Sequence, residues 1–384
     1  MKLFHISDLH IGKSVNGFTM IPEQKHVFKQ ILDYIDTEKP ATVLIAGDVY
    51  DRAIPSVEAV CLFDDFLTEL SKKDTAVLLI SGNHDSSERL GYASRLLAEK
   101  NLHLCGVFNE EISKVVLTDE YGEVNFWLLP FIKPSSLRGK TDDKEIDIDS
   151  YDKAVLAALE MSDIDYSKRN VLLSHQFYTK FGVSPILSES EQSPVGGLDA
   201  IMVEHVEKFD YVALGHLHRA QSVGSDNIRY CGSPVKYSFS EWKQEKSVTV
   251  IEMNEKGKIE ITALPLKPIH DMREIKGKLE QLISDEVVTL ADNEDYLRVV
   301  LTDEDEIIDP MARLRTVYPN VMNLAFENSR TKAEISNITA DIDLEKPPSP
   351  YELFSEFFLE ICKYVMTGEQ EKIVRELLEG VESE

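Results

Sequence analysis

The chain reads as an α/β protein: a layered α-β-β-α sandwich, then a smaller α+β domain and a C-terminal helical segment. Three observations predict this. Short Val/Leu/Ile runs at residues 3–6, 43–46, 77–80, 171–173 and 211–214 have the length and composition of buried strands. Segments of helical period separate the first three, as in a largely parallel sheet. Further on, around residues 125–130, 228–235 and 247–253, the helical segments thin out, so these stretches are read as a second sheet packed on the first. Each of the five runs stops just short of polar side chains that bind metals: Asp8 and His10, Asp48, Asn83, His175, then His216 and His218. Open α/β folds place their sites beyond the carboxyl ends of strands, so these groups are expected to meet at one sheet edge. Together they are enough for two divalent ions sharing one carboxylate, which predicts a two-metal hydrolase.

The elements follow in order. Pro22 opens a helix with Val27, Phe28, Ile31, Leu32 and Ile35 on one face, ending at Lys39-Pro40. Ser56 precedes a second, with Val57, Val60, Leu67 and Leu70 at helical spacing. The sandwich is expected over residues 1–265. A compact α+β capping domain is expected over 266–345, with strands near 270, from Tyr296 and from Val321, and a helix starting at Pro310. Residues 346–384 begin with the stiff run Lys346-Pro347-Pro348-Ser349-Pro350. Two amphipathic stripes follow it, Leu353, Phe357, Ile361, Tyr364 and Val365, then Ile373, Val374, Leu377 and Leu378, with Gly368 as the break. From pattern alone, these helices pack on their own domain or on a partner.

Bulk composition narrows the function. A 43% apolar fraction is that of a packed protein. No uncharged run approaches the ~20 residues that span a bilayer, and the start leads straight into a strand, so a cytoplasmic protein is expected. Cys61, Cys105, Cys231 and Cys362 are scattered with no Cys-x-x-Cys spacing, which suits a reduced compartment. Lys and Arg total 41 against 68 Asp and Glu, a net charge of −27. Such a chain cannot hold a polyanion through its summed field. DNA binding would need bound cations, a partner, or a local basic cluster such as Lys133, Arg138 and Lys140, or Lys236 and Lys243.

Singly, Asp-x-His and Gly-Asp are commonplace, whereas the motifs at residues 82–85 and 215–218 are sharper. Asp8-Leu9-His10, on extended backbone, would turn both side chains to one ion. In Gly47-Asp48 the glycine allows a sharp turn that hangs the carboxylate over the sheet edge, where it can bridge two ions. Gly82-Asn83-His84-Asp85 adds a carbonyl ligand, an imidazole and a carboxylate able to orient that imidazole. His175 and Gly215-His216-Leu217-His218 complete the set. Five motifs in order, each after its own strand, are not commonplace. Mixed oxygen and imidazole donors suit Mn²⁺, Fe²⁺ or Zn²⁺ better than Mg²⁺ or Ca²⁺. His84 is assigned to bind phosphate or protonate the leaving oxygen, with Asp85 holding its tautomer. Neutral imidazole ligands imply activity falling below about pH 6–6.5. His5, His26, His103, His205 and His270 are read as packing or surface residues. Gly12-Lys13-Ser14 lacks the upstream glycine of a phosphate-cradling loop, since Ser7 stands there.

These motifs resemble the calcineurin-like metallophosphoesterases. The resemblance implies one ion on Asp8, His10, Asp48 and His218, and another on Asp48, Asn83, His175 and His216. A narrower resemblance, to the SbcD family of double-strand-break repair nucleases, rests on longer stretches. They include Ala46-Gly47-Asp48-Val49-Tyr50-Asp51-Arg52, Asp210-Tyr211-Val212-Ala213-Leu214-Gly215-His216-Leu217-His218, Tyr230-Cys231-Gly232-Ser233-Pro234 and Tyr237-Ser238-Phe239-Ser240-Glu241. Asp51 departs from relatives that carry histidine there. The resemblance implies a Mn²⁺-dependent nuclease, an exonuclease on duplex ends and an endonuclease on single strands and hairpins. It further implies work in DNA repair, recombination and replication as a homodimer with an SbcC-type coiled-coil ATPase, docked through the helices after Pro350. A phosphoprotein or small-molecule phosphoesterase, and a silent interaction scaffold, are the competing readings.

Overall fold

The computed structural model describes residues 1–137, 148–180, 185–191 and 200–329, with residues 351, 354–355, 358–359, 366–368, 370–371 and 373–374. The linker 346–350, all of the first C-terminal stripe, Leu377, Leu378, Arg138, Lys140 and Cys362 lie outside them. The chain forms two compact units, one of residues 1–300 with 309–325, the other of 301–308 with 326–384.

In chain order, β1 (Lys2–Ile6) leads through a small hairpin, β2 (Ser14–Val15) and β3 (Phe18–Thr19), to α1 (Ile21–Glu38) and β4 (Thr42–Ala46). Then come α2 (Val57–Ser71), β5 (Ala76–Ile80), the short α3 (Ser87–Leu90) and α4 (Ser94–Ala98), and β6 (Leu102–Cys105). The hairpin β7 (Ser113–Asp119) and β8 (Gly122–Leu129) is followed by α5 (Pro134–Leu137), α6 (Tyr151–Glu160) and β9 (Arg169–His175). A short pair, β10 (Tyr178–Thr179) and β11 (Ile201–Met202), precedes β12 (Tyr211–Gly215), β13 (Gln221–Val223) and β14 (Ser225–Tyr230). The long hairpin β15 (Lys246–Met253) and β16 (Ile259–Leu266) ends this series.

Two six-stranded sheets result, ordered β16-β15-β1-β4-β5-β6 and β13-β14-β12-β9-β8-β7. In the first, β1, β4, β5 and β6 run parallel, and in the second β8, β9, β12 and β14 do. Strand alternation sorts the side chains into layers. Leu3, Leu44 and Leu78 meet Phe126, Val171, Leu173 and Tyr211 between the sheets. Phe4, Val43, Ile45 and Val77 turn the other way, onto Val27, Phe28 and Ile31 of α1 and Phe63 and Phe66 of α2. Trp127, Leu172, Val212 and Leu214 pack with Ala154, Val155 and Ala158 of α6. That is the expected helix–sheet–sheet–helix layering. The ends of α1 and α2 also fall where expected. Lys39 takes a left-handed conformation at φ 51° before Pro40, and the Ser56 hydroxyl caps α2 through the Ala59 amide.

Three expectations are corrected. Residues 247–253 belong to the first sheet, where β15 pairs antiparallel with β1. The strands carrying His175 and His216 belong to the second, so the ligands come from two sheets rather than one edge of a single sheet. The break in the C-terminal stripe is Met366-Thr367, because Gly368 is already helical. Thr367 and Gln370 cap that helix reciprocally, each side chain bonding to the other's backbone amide.

Residues 272–326 give a three-stranded sheet in the order β17 (Met272–Gly277), β18 (Tyr296–Leu301), β19 (Val321–Phe326). Its connections are the short α7 (Leu279–Leu282) and α8 (Asp285–Val288), and α9 (Pro310–Arg315). Within the second unit, the Glu327 amide donates to the Leu301 carbonyl and Asn328 Nδ2 to that of Asp303.

A candidate two-cation centre

The loops after β1 and β4 pair with each other. The amides of Asp8 and His10 donate to the carbonyls of Gly47 and Asp48, each at 3.0 Å. Asp8, His10 and Asp48 all lie in the left-handed region, with φ of 53°, 42° and 50°, and His216 has φ of 101°. The extended backbone expected at Asp8-Leu9-His10 is therefore absent. Four strained residues at one locus are the kind of backbone that surroundings must hold in place. Two glycines let the loops approach. A Cβ at Gly47 would sit 2.3 Å from His175 Nδ1, and one at Gly82 would sit 2.1 Å from Asp48 Oδ1.

All seven expected ligands meet here. Asp48 Oδ2 lies 3.6 Å from His10 Nε2 and 3.3 Å from His175 Nε2, between the two halves of the set. On one side His10 Nε2 and His218 Nε2 face each other at 3.1 Å. On the other, Asn83 Oδ1 is 3.1 Å from both His175 Nε2 and His216 Nδ1. Asp8 accepts the His216 amide at 3.0 Å, and Ser7 Oγ donates to Asp8 Oδ2. Among the described residues, ligand atoms approach within 4.8 Å of one another in Asp8-His10-His218, Asp8-Asp48-His175 and His10-Asp48-His84.

The electrostatics suit cations. Burial lowers His10 well below the ordinary imidazole value, leaving it neutral, as a ligand must be. Burial opposes charge at His175 as well, but the charge and hydrogen bond of Asp48 overcome it and push the imidazole up to about 9. His175 Nδ1 lies 2.7 Å from the Ala46 carbonyl, which fixes that nitrogen as a donor and turns Nε2 into the cluster. Two buried carboxylates, an amide oxygen and four imidazoles converge, a mixed donor set that fits a pair of divalent cations.

Around His84 the assignment changes. Its Nδ1 donates to the Asp51 carbonyl at 2.9 Å, and its amide to Asp48 Oδ1 at 2.9 Å. Asp85 does not hold His84. Its carboxylate takes the amides of Val49, Tyr50 and Gly82 at 3.1, 2.9 and 2.9 Å, staple-like, and so joins the β4 loop to the β5 loop. Burial and the Asp48 charge push Asp85 up to about 6 against those amides. The Asp51 side chain accepts Lys13 Nζ at 2.7 Å and lies 3.7 Å from His10 Nδ1.

Several residues went unassigned in the sequence. Ser190 Oγ is 2.8 Å from His218 Nδ1, and Glu191 accepts the His218 amide. Glu241 and Lys246, buried against each other at 2.6 Å, lie behind them. Tyr237 stands edge-on to His10 and His218, its hydroxyl on the Leu9 carbonyl. Only the Tyr237–Glu241 stretch had stood out, and without a role. The remaining histidines stay outside the centre: His5 contacts the Tyr211 hydroxyl between the sheets, His205 pairs with Asp152 and His270 with Glu23. Lys236 is spent on Asp271 and the Trp242 carbonyl, and Lys243 covers the Trp242 ring. Cys105 and Cys231 are buried, whereas Cys61 is exposed. Among the described residues, no helix is long and apolar enough to cross a membrane.

The chain is similar to known proteins along most of its length. The calcineurin-like phosphoesterase family model matches residues 1–220, and that of the type 5 capsule protein repressor C-terminal domain matches residues 268–361. The SbcD component of the nuclease SbcCD from Staphylococcus epidermidis is 32% identical over 342 residues, 87% of this chain and 88% of its own length. Its namesake from Staphylococcus saprophyticus is 30% identical over 380 residues, 98% of each chain. The chain belongs to the calcineurin-like phosphoesterases and, within them, to the SbcD family of SbcCD nuclease components.

Proposed function

We propose that the chain is a Mn²⁺-dependent DNA nuclease subunit. It hydrolyses phosphodiesters at duplex ends as an exonuclease, and in single strands and hairpins as an endonuclease. It serves DNA repair, recombination and replication with an SbcC-type coiled-coil ATPase. The observation that carries this reading is Asp48 Oδ2, placed between His10 at 3.6 Å and His175 at 3.3 Å. Asp8, His10, Asp48 and His218 would hold one ion, and Asp48, Asn83, His175 and His216 the other. When bound, such ions lower the pKa of an attacking water and offset charge growing on the phosphoryl group. The protein's part is positioning. Asp85 locks the two loops that aim Asp48 and Asn83. His84, its Nδ1 committed to the Asp51 carbonyl, offers Nε2 to a phosphoryl oxygen or the leaving oxygen.

The partner is supported by the SbcCD relatives, and charge is consistent with it. At −27, the chain would need bound cations, a local basic cluster or a second protein to gather DNA. The division of labour is a nuclease domain over 1–265, a capping domain over 266–345 and an ATPase-docking segment over 346–384. Homodimerisation finds support in apolar side chains exposed on and around α2 and α4: Ile54, Val57, Val60, Tyr92 and Leu96. The test is a labelled DNA hairpin with Mn²⁺, with and without the ATPase, beside a phosphopeptide. Cleavage of the hairpin alone supports the nuclease; turnover of the phosphopeptide alone makes the chain a phosphoprotein phosphatase.

A further inference from the structure

We infer that Ser190, Glu241 and Lys246 form a positioning chain that fixes His218 as the Nδ1–H tautomer and so equips one side of the centre, Asp8-His10-His218, for its cation. The inference rests on the two-cation reading above. Lys246 Nζ donates to Glu241 Oε2 at 2.6 Å, so Glu241 is an ionised acceptor. Ser190 Oγ lies 2.9 Å from Glu241 Oε1 and 2.8 Å from His218 Nδ1. A hydroxyl has one proton to give. With that proton on Glu241, Ser190 can only accept from His218, so Nδ1 carries hydrogen and Nε2 is bare. That bare nitrogen is the one facing His10 Nε2 at 3.1 Å.

The same residues also hold the main chain of the ligand. Lys246 Nζ donates to the His218 carbonyl at 2.8 Å and to Ser233 Oγ at 3.0 Å, while Glu191 takes the His218 amide. The other half of the centre is built differently. There the tautomer of His175 is set by the Ala46 carbonyl, which no side-chain substitution removes. Losing the Ser190 hydroxyl should therefore affect one ion and spare the other. It also leaves Glu241 satisfied, since Lys246 and Ser238 Oγ, at 3.2 Å, still donate to it.

The test is Mn²⁺ binding by the full chain, followed by electron paramagnetic resonance of free Mn²⁺, for wild type, Ser190→Ala and Ser190→Thr. Thermal melting is measured in parallel. Wild type and S190T should bind two ions per chain. S190A should bind one ion as wild type does and the other about 10–100-fold more weakly. In ¹⁵N-histidine spectra of the metal-free chain, His218 should carry its proton on Nδ1. Two ions bound by S190A with wild-type affinity, or both lost together in a chain that melts normally, would overturn the inference and leave the nuclease reading standing. Wild type that binds no Mn²⁺ would instead overturn the two-cation reading. Should S190A not fold, the wild-type spectrum decides: a proton on Nε2 of His218 refutes the positioning chain.

Discussion

Asp48 shows what a single residue must do in this centre. Its Oδ2 faces His10 and His175, its Oδ1 takes the His84 amide, and its backbone sits at φ 50°. The candidate ligands that the fold brings together were legible in the sequence because metal-binding residue types are few and each stands just past an apolar run. The sequence could not reveal what holds them, since Ser190, Glu191 and Lys246 are ordinary residues until the fold brings them to His218. Asp85 was misassigned for a related reason: adjacency to His84 in sequence suggested contact, whereas the turn carries its carboxylate to three backbone amides. Two predictions belong at this scale. His84→Ala should keep both ions and lose at least about 100-fold in cleavage rate; metal loss in that variant would make His84 a ligand. His175, at about 9 without ions, is protonated at neutral pH and must release that proton to ligate. Raising the pH from 7 toward 9 should therefore strengthen Mn²⁺ binding by up to about tenfold per unit, with calorimetry in different buffers showing proton release. Affinity flat over that range would contradict the assignment of His175.

At the scale of elements, strand alternation makes the sheets legible. Leu3, Leu44 and Leu78 point between the sheets while Phe4, Val43 and Val77 point to the helices. Helix ends were readable too, from Pro22, Ser56 and Lys39-Pro40. What pattern could not tell was sheet membership, because a buried strand looks the same in either sheet. Thus residues 247–253 pair with β1, and β9 and β12 bring their histidines from the opposite sheet. The loops between them tolerate little change. A side chain at position 82 would overlap Asp48 Oδ1 and its amide nitrogen, at 2.1 and 2.4 Å. Gly82→Ala should consequently lose Mn²⁺ binding while its far-ultraviolet circular dichroism stays that of wild type. Full binding in that variant would show that the Asp48 loop is free to shift.

For the whole molecule, the charge of −27 and the centre between two sheets pull in different directions. The net field repels DNA, so on the proposed reading association would draw on bound cations, a partner or a local basic cluster rather than on summed charge. If the proposed homodimer uses the exposed apolar side chains of α2 and α4, Val57→Asp with Leu96→Asp should turn a dimer into a monomer in analytical ultracentrifugation. An unchanged sedimentation coefficient would place the dimer contact elsewhere. On the proposed reading, catalysis depends above all on a pair of ions that would share Asp48. Anomalous diffraction from Mn²⁺-soaked crystals measures this directly. It should show two peaks about 3.5–4 Å apart, one between His10 and His218 and one between His175 and Asn83, with Asp48 touching both. A single peak, or two that do not share Asp48, would contradict it.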